Sequence, residues 1–106
     1  MVGSEVQYAA IDVAASGDNT LVALVAAKRI RVLSLFLVSA GTVTTRFESN
    51  AGGTALTGQM TLAVNSGFTL PFNAEGWFQT VAGQLLNLEL SDAVSVDGCL
   101  SYVLVD

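Results

Sequence analysis

An antiparallel, jelly-roll-like β-sandwich of about eight strands is the fold this all-β sequence predicts, on three observations. Apolar and polar residues alternate with a period of two along most of the chain. Glycines recur beside Asn, Asp or Ser at spacings of roughly ten to twenty residues, the punctuation expected between short strands. The 106 residues are 52% hydrophobic and only 12% charged, which excludes a disordered chain and supplies one core of ordinary size. One sandwich domain is expected over residues 1–106, with 1–5 as a flexible N-terminus.

The strands follow in order. Val6 to Val13 reads as the first, ending before the turn candidate Ser16-Gly17-Asp18-Asn19. Thr20 to Ala26 reads as the second, although its Ala and Leu content also suits a helix behind an Asp18 or Asn19 cap. Arg29 to Ser39 is the third. In the next strand Val43 and Phe47 alternate with Thr42, Thr44, Arg46 and Glu48, and Asn50-Ala51-Gly52-Gly53 turns the chain. Met60, Leu62 and Val64 form a further alternating run before Asn65-Ser66-Gly67. Phe68, Leu70 and Phe72 form another, with Pro71 marking an edge because proline cannot donate to a ladder. After the turn candidate Asn73-Ala74-Glu75-Gly76 come Leu86, Leu88 and Leu90. Val94 and Val96 then lead into Asp97-Gly98, a hairpin signal, with Leu100, Tyr102 and Leu104 beyond it. An immunoglobulin-like sandwich is the alternative architecture, but its paired cysteines flanking a buried tryptophan are missing, since Cys99 is the one cysteine.

Composition also narrows function. Four basic and nine acidic residues give a net charge of −5, the wrong sign for a general nucleic-acid binder. The chain has no histidine, which removes Ser-His-Asp and Cys-His nucleophile systems and imidazole metal sites. No secretory signal is read at the start. The longest apolar stretch, Leu21 to Val38, is cut by Lys28, Arg29 and Arg31, each costing about 2.5–3.5 kcal/mol in a membrane, so it reads as core. A non-enzymatic protein without cofactor or metal, and without nucleic-acid or membrane partners, is expected.

Individual motifs agree with that reading. The carboxylate pairs Asp12 and Asp18, Glu89 and Asp92, and Asp92 and Asp97 match no calcium loop and read as solvated charge. Neither Gly52-Gly53-Thr54 nor Gly41-Thr42 has phosphate-loop spacing, and Ser34, Ser39 and Ser101 lie in no nucleophile elbow. Cys99 reads as a small buried or half-buried hydrophobe.

Three features point outward instead. After Val32 the strand Ile30–Val38 becomes apolar on both faces, and Val103 and Val105 repeat this near the C-terminus. A sheet face covered by another subunit explains both, with Leu33, Leu35, Leu37, Val103 and Val105 as interface residues; a few exposed aliphatics on a central strand is the simpler alternative. On the interface reading, replacing Leu35 and Leu37 by Glu yields monomers. Lys28, Arg29 and Arg31 gather three of the four basic residues, either a docking point for an acidic surface or a solvated strand end. Phe72 to Phe78 contains the single tryptophan, Trp77, and serves either as an aromatic anchor for a partner or as a plug on the sandwich.

A family likeness rests on Lys28-Arg29-Ile30-Arg31-Val32-Leu33-Ser34-Leu35, Thr42-Val43-Thr44 through Phe47-Glu48-Ser49, and Gly53-Thr54-Ala55-Leu56-Thr57-Gly58. Leu70-Pro71-Phe72-Asn73 to Gly76-Trp77-Phe78, Leu86-Asn87-Leu88 and Gly98 to Val103 add to it. Over residues 18–104 the chain resembles small virion proteins of tailed bacteriophages, the capsid decoration (cement) type. That resemblance implies a jelly-roll homotrimer on the outer capsid surface, bound to the major capsid protein and without catalytic residues. Under it, Lys28, Arg29, Arg31, Phe72, Trp77 and Phe78 are the expected capsid contacts. A phage fibre or tail-associated module recognising a host glycan through Trp77 is the competing expectation.

Overall fold

Two antiparallel sheets face each other in the computed structural model, which describes residues 5–106. The expected flexible segment 1–5 falls almost wholly outside the described residues. The strands are β1 (Gln7–Val13), β2 (Gly17–Val22), β3 (Arg29–Ser39), β4 (Val43–Ser49), β5 (Thr54–Ala55), β6 (Met60–Leu62), β7 (Gly67–Leu70), β8 (Phe78–Gln79), β9 (Leu86–Leu90) and β10 (Val96–Val105). Sheet A runs β1-β10-β3-β7, with β8 also on β3; sheet B runs β2-β9-β4-β5, with β6 also on β4. Without the two-residue β5 and β8, eight strands remain. Their order is first-eighth-third-sixth in one sheet and second-seventh-fourth-fifth in the other, the winding of a jelly roll. The predicted fold class is therefore the observed one.

The core follows from the alternation. Ile11, Ile30, Val32, Leu35, Leu37, Val96 and Leu100 of sheet A meet Val22, Val43, Phe47, Leu62, Leu86, Leu88 and Leu90 of sheet B. Phe47 and Phe78 stack tilted at 5.0 Å between ring centres, an aromatic pair contributing about 0.5–1.5 kcal/mol beyond its buried area. The turns at Asn50, Asn65 and Gly76 lie where they were expected, each residue having a positive φ. β2 is a strand and no helix, and its pairing with β9 overrides the local helical propensity.

Two expectations fail here. Asp97-Gly98 is not a hairpin turn: β10 runs unbroken through it, because both residues pair with β1 on one side and β3 on the other. The doubled apolarity of β3 also has a different origin. Tyr102 pairs with Val32 and Ser101 with Ser34, so Leu33 is an extra residue in a β-bulge. The bulge switches the phase of the strand. Ile30 and Val32 point into the core before it, and Leu35, Leu37 and Ser39 point inward after it. Leu33, Leu35 and Leu37 are 2%, 2% and 4% exposed within a single chain, so they are not an interface between subunits. The residues that face outward are Phe36 and Val38.

Candidate functional site

Sheet B turns a polar outer face to solvent. Because Phe47 and Thr45 point inward, Arg46 and Glu48 point outward, and Asn87 and Glu89 do the same on β9. Register sets Arg46 opposite Glu89, Glu48 opposite Asn87, and Asp18 opposite Glu89. The Arg46 guanidinium donates to Glu48 Oε2 from Nη2 (2.6 Å) and Nε (3.0 Å), and to Glu89 Oε1 (3.1 Å). Asn87 Nδ2 donates to Glu48 Oε1 and to Asp18 Oδ1, both at 2.9 Å. Glu48 is only 1% exposed, yet both of its oxygens are bonded. Its hydrogen bond is the main cause holding the Arg46 pKa above the ordinary value.

Oxygens of Asp18, Glu48 and Glu89 lie within 4.8 Å of one another, the spacing of a cation cage. Arg46 already supplies the positive charge between two of them, and Asn87 donates to two. The arrangement is a closed charge network that pins β4, β9 and β2 together. Beside it, a hollow of about 450 Å³ is lined by Ser16, Thr44, Arg46, Gln59, Glu89 and Ser91. Sequence reading missed the burial of Glu48. The available signal was the pairing of two outward Arg/Glu and Asn/Glu alternations, which becomes meaningful only once β4 and β9 are known to be neighbours.

Sheet A differs. Its outer face carries Tyr8, Phe36 and Val38 at 74%, 56% and 47% exposure. Val103 and Val105 lie half-buried on the same face, paired with Arg31 and Arg29. Arg31 Nε donates to Gln79 Oε1 (2.9 Å) and Arg29 Nη1 reaches the Thr80 carbonyl (3.4 Å). Lys28, in the turn before β3, instead forms an ion pair with Asp106, which lowers the Asp106 pKa.

At the other end of this face Asp12 and Asp97 are direct cross-strand partners. Desolvation, then a hydrogen bond and the charge of Asp12, raise the Asp97 pKa above its ordinary value. A raised folded-state pKa contributes stability below the ordinary carboxylate value and loses it as pH rises through the raised one. At neutral pH the two like charges therefore oppose folding. Asp12→Asn is expected to raise the melting temperature at pH 7 in dilute solution, the gain vanishing towards pH 3.8, the ordinary Asp value. Melting curves at both pH values check this, and an equal shift at both would count against it.

The third region is the Phe72–Phe78 loop, laid along β3. The Trp77 amide donates to Val32 O (2.9 Å) and its Nε1 to Pro71 O (2.8 Å), which fixes the indole. Phe72 is 64% and Trp77 44% exposed. Phe78 is half-buried against Phe47, so it belongs to the core wall and not to the exposed anchor. Gly76 has φ of 85° and lies against the Arg31 side chain, where any Cβ would collide, so the loop and one basic residue are brought together. Between the sheets on this side opens an apolar cleft of about 400 Å³, lined by Phe47, Leu56, Met60, Leu70, Trp77 and Phe78.

Comparison with protein-family models, curated proteins and solved structures finds no match to this chain. Among the described residues no helix is long and apolar enough to cross a membrane.

Proposed function

We propose that this chain is a non-catalytic assembly protein, a capsid decoration protein that binds the assembled major-capsid shell and stabilises it on the outer surface of a phage virion. The observation that carries this reading is the side of the sandwich where Phe72 and Trp77 stand exposed beside the 400 Å³ apolar cleft, with Arg31 against the same loop. Trp and Arg dominate protein-binding hot spots, and an indole held by a hydrogen bond loses little freedom on docking. The jelly-roll fold and the resemblance of the Leu70–Phe78 stretch to virion proteins favour a shell as the partner. A ligand present only on the assembled shell stabilises that shell by mass action.

The test is co-sedimentation of the purified protein with empty shells of the cognate major capsid protein. Saturable binding and a higher shell melting temperature are expected. Trp77→Ala is expected to weaken binding at least about tenfold, while the free protein keeps its fold because the indole is half exposed. The competing glycan-binding module rests on the same exposed indole. Binding to a glycan array that Trp77→Ala abolishes, without binding to shells, would replace the capsid reading with that one.

A further inference from the structure

The two outer faces of the sandwich are chemically unequal. On sheet B the charged groups bond to one another. On sheet A the one ion pair among the described residues, Lys28 with Asp106, lies at the end of the strands, and the charges on the face itself are not paired with opposite ones. Arg29 and Arg31 meet only a carbonyl and an amide oxygen, and among the described residues no carboxylate lies within ion-pair distance of either. Asp12 and Asp97 face each other. Thus, among the described residues, Arg29 and Arg31 stand without a carboxylate partner at one end of the face, and Asp12 and Asp97 without a cationic partner at the other. Residues 97 and 105 of β10 mark these ends, roughly 27 Å apart along the strand. Between them stand the exposed Tyr8 and Phe36, and the exposed Val38 lies beside Asp97 at the acidic end.

This pattern is self-complementary. Turning a second copy over, about an axis lying in the face and across the strands, brings its acidic end above the basic end of the first, and the reverse. The operation is two-fold, so both charge contacts form at once and the apolar middles meet. Size argues for the same register. Four strands about 4.8 Å apart and ten residues of about 3.4 Å give a face of at most roughly 650 Å² in projection. Specific interfaces bury about 600–1,000 Å² on each partner, so a second copy must use the whole length of the face. Use of the whole length superimposes the charged ends.

We propose that the outer face of sheet A takes a second copy of this chain in an antiparallel, two-fold arrangement, with Asp12 and Asp97 of each copy against Arg29 and Arg31 of the other. This differs from the three-fold association implied by the family resemblance; it shares Arg31 with the shell-binding reading, and a mass measured without shells tests it separately. An ion pair across the interface also removes the repulsion between the two aspartates.

Light scattering on a sizing column, with the full chain at about 1–100 µM, tests the arrangement. A two-chain mass is expected at the higher concentrations. Arg29→Glu with Arg31→Glu is expected to raise the dissociation constant at least about tenfold, and Asp12→Lys with Asp97→Lys to do the same. An equimolar mixture of the two doubly reversed proteins is expected to regain the two-chain mass, because one then presents acid at both ends and the other base. Phe36→Ser, an uncharged change at an exposed position of the apolar middle, is expected to give single chains that keep the fold, with the melting temperature of the unaltered protein in dilute solution. A one-chain mass throughout, a three-chain mass, a two-chain mass indifferent to both reversals, or a mixture that stays dissociated would each overturn the proposal.

Discussion

Leu35→Glu is expected to unfold the domain, whereas Phe36→Glu, one residue along, is expected to leave its stability almost unchanged. Leu35 is 2% exposed and is paired with Leu100 and Leu70 on the inner face of sheet A. Losing a buried leucine side chain alone costs about 2–5 kcal/mol. A carboxylate in its place finds no partner there and must either stay protonated or draw in water, a further cost of several kcal/mol. The total rivals the whole stability of about 5–15 kcal/mol typical of a domain. Far-ultraviolet circular dichroism and a urea titration check the pair. A folded, monomeric Leu35→Glu protein would restore the interface role that the sequence alone assigns to Leu35.

Gly98→Ala has the second largest expected effect. Gly98 lies on the inner side of β10, between Ile11 of β1 and Leu37 of β3. A Cβ built there falls inside the contact radius of the Phe36 carbonyl oxygen and within 2.8 Å of Leu37 Cα. Those are backbone atoms, so no side-chain rotation relieves the clash, and the β10–β3 ladder must separate. A loss of about 3 kcal/mol or more is expected from one added methyl group. Gly58→Ala is the control: nothing lies within 4 Å of its Cβ position, and the change is expected to stay within about 0.5 kcal/mol. Equal denaturation midpoints for the two variants would remove the steric account.

Much of the architecture was legible because it is local. Period-two runs located β1, β3, β4, β6, β7 and β9 to within a residue or two at most ends, and Asn50, Asn65 and Gly76 marked their turns. The eight-strand count, together with the missing pair of cysteines, selected the jelly roll over an immunoglobulin-like sandwich. What escaped depends on neighbours far along the chain. Gly98 beside Asp97 has the composition of a hairpin, and only its flanking strands reveal that the glycine permits close approach. The Val32-Leu33 doublet is a phase change, and the residues after it were therefore assigned to the wrong face. Asp12 and Asp97 meet from opposite ends of the sequence, as do Glu48 and Asn87 from separate strands, so no spacing rule could unite them. The aromatic loop was legible as a feature, but the division of labour between exposed Trp77 and core-facing Phe78 required the position of Phe47.

The place of β10 has a kinetic consequence. The last strand to leave the ribosome sits between β1 and β3, with Gln7 against Tyr102 and Leu35 against Leu100. Until it emerges, β1 has no strand partner in sheet A and β3 lacks the neighbour with which it forms its longest ladder. A nascent chain therefore gains little from early collapse, and sheet A closes only after β10 has emerged. Closing such long loops before any contact rewards them places folding in the milliseconds-to-seconds range typical of non-local β topologies. In that interval the edges of β1 and β3 are open to pairing with other chains, and docking of β10 closes them.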